Sequence, residues 1–144
     1  MFNIFAELQG SADEDLIAAV KNVDTSELLD EAAAFLLNRI RTRYLKEIDP
    51  DLVPWTPSLS GIRRRRRGGT GTLFDTGRLF HSIQAGFLGD PEFRTVETDV
   101  PYASHHQLGT GKFPRRAFIG FNDEDVDTLN VILQTRLDEM LGNR

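Results

Sequence analysis

Residues 24–50 read DTSELLDEAAAFLLNRIRTRYLKEIDP, and the rest of the chain is best understood outward from them. Asp24-Thr25-Ser26-Glu27 sets side-chain oxygens ahead of an apolar run, with a carboxylate three residues on, which is a helix-start signal. Leu28, Ala32, Leu36, Ile40 and Tyr44 then recur every four residues, flanked by Leu29, Ala33 and Leu37, so one apolar stripe follows the helical period. The spacing predicts a helix from Ser26 to Glu47, ended ahead of Pro50 because the residue before a proline avoids the α region. At about 30 Å, this helix is the main wall against which other elements pack.

On its N-terminal side, residues 11–23 carry Leu16, Ile17 and Val20 at helical spacing and predict a shorter helix. On its C-terminal side the pattern dissolves. From Asp51 to Thr72 the chain is punctuated by Pro54, Pro57, Gly61, Gly68, Gly69 and Gly71, and predicts a long flexible loop. Trp55, between two prolines, is placed to anchor one end of that loop on the body. Thr76–Ile83 predicts a short helix capped by Asp75 or Thr76. Strands follow at Ile83–Phe87 and Phe93–Thr98, joined by a turn at Leu88-Gly89-Asp90-Pro91. Tyr102–Leu108 predicts another short helix, Gly109–Pro114 a loop, and Ala117–Phe121 a strand. Asn122-Asp123-Glu124-Asp125 caps a last helix with Val126, Leu129, Leu133, Leu137 and Met140 on its buried face and Gly142 at its stop. Helices, then strands, then a helix predict an α+β fold. Its small, mainly antiparallel sheet packs against a long N-terminal helix and a C-terminal helix. With 144 residues, the whole of 1–144 is expected to form one domain, with 51–72 as its flexible arm.

Apolar residues make up 40% and charged residues 27%, a globular composition. The absence of cysteine excludes disulfides, thiolate metal sites and a cysteine nucleophile. The first residues predict no export signal, and no stretch approaches the ~20 apolar residues of a membrane span. Use in the cytoplasm, or in something assembled there, is expected. The net charge is −5, yet five positive charges are consecutive, Arg63, Arg64, Arg65, Arg66 and Arg67. Without them twelve positive groups face twenty-two negative ones, so the body is acidic and contact with nucleic acid would have to be local.

The motifs of common chemistry fail on inspection. Gly109-Thr110-Gly111-Lys112 lacks the first glycine and the following hydroxyl of a phosphate loop, those positions being His106 and Phe113. His105 and His106 are adjacent and diverge by about 100° on a helix, unlike ligand pairs three or four residues apart. Ser82 has no Gly-x-Ser-x-Gly context. The expectation is therefore no catalytic residue, no metal, no cofactor and no small-molecule substrate. For the arginine run, three fates remain open: a solvated loop, contact with an acidic protein surface, or contact with DNA phosphates.

Four short motifs fall in one order. They are Trp55-Thr56-Pro57-Ser58-Leu59, then Leu73-Phe74-Asp75-Thr76-Gly77-Arg78-Leu79 with Ser82-Ile83, then Val100-Pro101-Tyr102-Ala103 with His106-Gln107-Leu108-Gly109, and finally Pro114-Arg115-Arg116-Ala117-Phe118-Ile119-Gly120 before an acidic helix start. In this order and spacing the chain, over residues 25 to 141, resembles the virion morphogenesis proteins of Mu-like phages, which are related to phage tail completion proteins. Two positions depart from that pattern: the arginine run stands where a variable, lysine-bearing loop is usual, and Leu108 replaces a frequent aromatic residue.

The resemblance implies a non-enzymatic structural virion protein that completes the tail or neck at the head-tail junction. It would act by closing a ring of its own copies, six by the symmetry of tails, and by contacting neck, tail terminator or tail tube proteins, without a membrane. Contact with packaged DNA is left open, and a nucleic-acid-binding module built on Arg63–Arg67 is the alternative. Candidate contact residues are Trp55, Arg63–Arg67, Lys112, Arg115 and Arg116. Thr76, Gly77, Leu79, Ser82, Tyr102, His106, Gln107, Gly109, Pro114, Phe118 and Gly120 are expected to hold the fold, with Leu79, Ile83, Phe118 and Ile119 in the core, Tyr102 at a buried edge, and a buried arginine at 115–116 paired with a carboxylate on the long helix.

Overall fold

The computed structural model describes residues 2–5, 25–90 and 92–142; the helix expected at 11–23 lies outside them. In chain order the described elements are β1 (Phe2–Phe5), α1 (Thr25–Lys46), α2 (Leu59–Arg66), α3 (Arg78–Ser82), β2 (Gln84–Gly86), β3 (Thr95–Thr98), α4 (Ala103–Leu108) and α5 (Asp123–Gly142). The fold is α+β. Its sheet has the order β1-β3-β2 and both pairings are antiparallel. In the β2–β3 hairpin Ala85 faces Val96, and the turn between them contains the positive-φ Gly89.

The predicted stripe on α1 is the core-facing one: Leu28, Ala32, Leu36, Ile40 and Tyr44 are all buried. It packs against β2, β3 and α5, and each large side chain so buried contributes about 1.5–3 kcal/mol. Leu79, Ile83, Phe118 and Ile119 join the same core as expected. Tyr44 is its aromatic centre, with its ring edge-on to Trp55 at 5.1 Å and to Phe118 at 5.7 Å. The Tyr44 hydroxyl donates to the Leu73 carbonyl, and burial pushes its pKa up, so it stays a donor.

The end of α1 is made by Glu47 rather than by Pro50. Glu47 takes the left-handed conformation at φ 56°, the Ile48 amide donates to Arg43 O at 3.1 Å and the Glu47 amide to Tyr44 O at 3.0 Å. That is the paired closure that commonly ends helices, here on a non-glycine residue. The Glu47 carboxylate in turn accepts from the Thr72 amide and pairs with Arg65 at 3.1 Å, so the helix end also holds the following segment.

That segment departs from expectation. Leu59–Arg66, read as loop, is a helix whose cap is the Ser58 hydroxyl, accepting from the Gly61 amide at 3.0 Å. Arginine is a good helix former, and four arginines in the last turn lie at the negative end of the helix dipole. Gly68, at φ 78°, then closes the helix as Glu47 closes α1. A second correction concerns Ala117–Phe121, which is buried over Ala117–Ile119 but pairs with no strand among the described residues; side chains satisfy its backbone instead. Thirdly, α5 buries only Leu129 of its predicted face completely, and Val126, Leu133, Leu137 and Met140 are half-buried.

Two polar links fasten these layers. Arg94, itself buried, bonds Asp30 at 2.6 Å and the Ser26 carbonyl and hydroxyl, so the hairpin is tied to the start of α1. Arg43 donates to Asp125 at the start of α5, and both are buried. This reverses the expected polarity: the arginine is on the long helix and the carboxylate comes from the chain beyond Arg116. Among the described residues, no helix is long and apolar enough to cross a membrane.

Candidate docking site: a basic groove

Pieces of all four sequence motifs meet around one open groove of about 1130 Å³. The Thr56–Ser60 turn, the Asp75–Leu79 turn, Tyr102 with His106, and Pro114 with Arg116 all line it.

Its floor is set by two crossings. Arg116 is buried, and its Nε donates to the Thr56 carbonyl at 2.6 Å, so the expected carboxylate partner on the long helix is replaced by a backbone oxygen. Burial lowers the Arg116 pKa, with Glu47 opposing. The Arg116 amide donates to His106 O at 2.7 Å. Gly109 permits that crossing, because it sits at φ 69° and an added Cβ would lie 2.6 Å from the Arg115 backbone nitrogen.

One wall is aromatic. The His106 ring stands edge-on to Phe113 at 5.3 Å and to Tyr102 at 6.2 Å. Burial lowers the His106 pKa, and Arg116 and His105 lower it further, so the imidazole is neutral at pH 7. Tyr102, expected at a buried edge, is 39% exposed, and the Arg78 guanidinium lies 5.8 Å from its ring centroid.

Further lining comes from α2 and α3. The start of α3 is capped by Gly77 at φ 82° with no side-chain bond, not by Asp75 or Thr76; the Thr76 hydroxyl accepts from the Arg78 amide at 3.3 Å. An added Cβ on Gly77 would meet the His81 ring at 2.9 Å. Gly77→Ala is therefore expected to cost about 1–2 kcal/mol, from left-handed strain and the clash together, read as a lower urea midpoint. Ser82 closes α3 with its hydroxyl bonded to Leu79 O and to the Thr98 hydroxyl, both at 2.6 Å.

The groove is strongly one-signed. Arg63, Arg64, Arg78, Lys112 and Arg116 line it, with Asp75 as the one carboxylate among the described residues. Asp75 is 3.9 Å from Arg64 and widely exposed, so it screens little. Guanidinium forks and an ammonium beside aromatic rings suit carboxylates or phosphates on a partner.

The sequence candidates divide accordingly. Arg63, Arg64, Lys112 and Arg116 come together in the groove. Arg65 turns to Glu47, Arg64 also bonds Gly71 O at 2.6 Å, and Arg66, Arg67 and Arg115 are exposed outside the lining. Trp55 is turned into the core, its Nε1 donating to Ala117 O at 2.8 Å; it anchors and does not present a contact surface. Gln107 is buried behind the groove, and Gly120 packs on Pro50. Sequence reasoning missed Arg78, Phe113 and Thr56 as lining residues. Arg78 stood in a quoted motif, and its position after a turn glycine was the available signal.

Among the described residues no group of three or more His, Cys, Asp or Glu side chains is placed to hold a metal. His105 Nδ1 bonds the Thr110 hydroxyl at 2.7 Å. The α+β body thus carries a charged groove with an aromatic wall, a surface suited to anionic groups. The chain belongs to the phage virion morphogenesis family, whose sequence model matches residues 11–138. Comparison with curated proteins gives no match, and comparison with solved structures gives none. The family assigns a role in building the phage particle and places the chain with other virion proteins.

Proposed function

We propose that this protein completes the tail or neck at the head-tail junction, as a non-enzymatic ring component whose basic groove docks a neighbouring subunit. One observation carries the reading. Arg63 and Arg64 of α2, Arg78 and Arg116 of two motifs of the family resemblance, and Lys112 of the loop between the last two motifs converge on a single cationic surface. Core packing alone would not bring together the exposed cations Arg63, Arg78 and Lys112, since like charges repel. The segment 51–72 is the arm of this surface: α2 presents Arg63 and Arg64, and the Glu47 clamp sets where it stands. One domain over 1–144 suffices for the role, with six copies as the expected ring.

The test is a charge reversal. The variant Arg63→Glu, Arg78→Glu, Lys112→Glu alters exposed side chains and is expected to keep its stability within about 1 kcal/mol of the parent. In a phage lacking the parental gene it is expected to yield defective particles, with titre near that of the gene deletion. Normal infectious particles would overturn the reading. The nucleic-acid alternative makes a different prediction for the purified protein. It requires duplex or single-stranded DNA binding that weakens steeply with salt and is lost in the same variant.

A further inference from the structure

We propose that the occupant of the groove is the acidic start of α5 from a second copy of this chain. The inference rests on the docking reading above and names its partner.

Charge leads to the occupant. Among the described residues the groove gathers five positive groups and one negative, while the chain as a whole carries a net charge of −5. The chain thus carries its own complement, and the complement is concentrated. The first turn of α5 holds Asp123, Glu124 and Asp125. Asp125 is buried on Arg43, while Asp123, Glu124 and Asp127 are exposed.

Apolar surface lies beside both halves. Phe121, just before α5, is 36% exposed. The Asn122 side-chain Nδ2 donates to Pro50 O at 2.9 Å, which brings the turn with Asp51, Leu52 and Val53 next to the acidic helix start, and both apolar side chains there are exposed. In the groove itself, Leu59 and Phe113 are likewise exposed among the cations. Acid with apolar on one surface faces base with apolar on the other, the combination that gives both steering and a buried contact.

None of Asp51–Val53 or Phe121–Asp127 lines the groove. The two surfaces are therefore different, and a contact between them is head-to-tail. Such a contact repeats from copy to copy until it closes into a ring or runs on as a filament. The groove of each copy is incomplete without the next copy's carboxylates.

The absence of native cysteine makes the test direct. Full-length Lys112→Cys and Glu124→Cys chains are purified, mixed at low salt and oxidised. The expected result is a disulfide dimer in the mixture only, and a ladder of covalent multimers from a chain carrying both substitutions, its last rung giving the copy number. Salt should suppress the dimer. Lys112→Glu should weaken self-association at least about threefold, within the range of a rim ion pair, and Glu124→Lys in the same chain should restore it.

Three results would overturn the proposal: no dimer in the mixture, equal dimer from either single variant alone, or a groove that takes DNA with no association between copies. If the dimer is absent while the charge-reversed groove still blocks particle assembly, the groove docks a different virion protein and the proposed function survives. If that variant assembles normally as well, both fall.

Discussion

Asp125→Ala is expected to destabilise the protein by about 3–5 kcal/mol, the usual cost of stripping one partner from a buried ion pair. Asp125 is 0% exposed. One carboxylate oxygen accepts from Arg43, and the other accepts from the Asn122 amide at 3.0 Å. The Asn122 side chain returns a bond from the Asp125 amide at 2.9 Å, so the same residue closes the capping box of α5. It also lies in the first turn, where the helix dipole favours a negative charge. Removing it leaves the Arg43 guanidinium buried and uncompensated, and Arg43 Nη1 already has no hydrogen-bond partner among the described residues. Against a typical total of 5–15 kcal/mol, this is a large fraction of the stability. Two companion variants separate charge from cap. Asp125→Asn keeps an acceptor and loses the charge, and should fall between parent and alanine. Arg43→Met combined with Asp125→Ala removes the orphaned charge and should recover most of the loss. Urea midpoints decide: if the double variant is no better than Asp125→Ala alone, the cap and not the ion pair carries the effect.

The elements that were legible in the sequence are those that bury one face at a fixed period. The α1 stripe and the α+β order follow from spacing, because burial selects apolar side chains every third or fourth residue in a helix. The Arg63–Arg67 segment was misread because α2 buries no such face. Leu59 and Ile62 are both exposed, and the helix is held by the Ser58 cap, its dipole and Glu47. Its signals were polar: Ser58 three residues ahead of Gly61, and Gly68-Gly69 at the stop. Ala117–Phe121 failed for the opposite reason. A short buried run looks alike whether a strand or side chains satisfy its backbone. The groove was legible only in parts. Arg63, Arg64, Lys112 and Arg116 were named, but their meeting depends on crossings such as Arg116 with Thr56, sixty residues apart. Arg43 hid beside Tyr44 on α1, where a charged residue ordinarily reads as solvated surface; its partner lies 82 residues on.

Gln107→Leu is expected to cost on the order of 4 kcal/mol, and the reason lies in what replaces the missing strand. Gln107 Oε1 accepts from the Phe118 and Ile119 amides at 2.9 and 3.0 Å, and its Nε2 donates to Ile119 O at 2.7 Å. One side chain thus does for this segment what a neighbouring strand does elsewhere. Leucine would leave two amides and a carbonyl buried without partners, at about 1–3 kcal/mol each. The loss reaches the groove, because Arg116 precedes the segment and Ala117 O receives the Trp55 indole. Hydrogen exchange reads the effect locally: the Phe118 and Ile119 amides should lose protection before those in the middle of α1. Unchanged protection there would refute the assignment. Gln107→Glu sharpens the test. Its carboxylate still accepts from both amides, but sets an oxygen against Ile119 O, where a donor is needed. The variant should be weaker than the parent at neutral pH, and the gap should narrow in acid, where a protonated carboxyl can donate again. Glutamine alone among the natural side chains of this length offers acceptor and donor together at every pH, so the residue follows from a buried chain segment that no strand among the described residues adjoins.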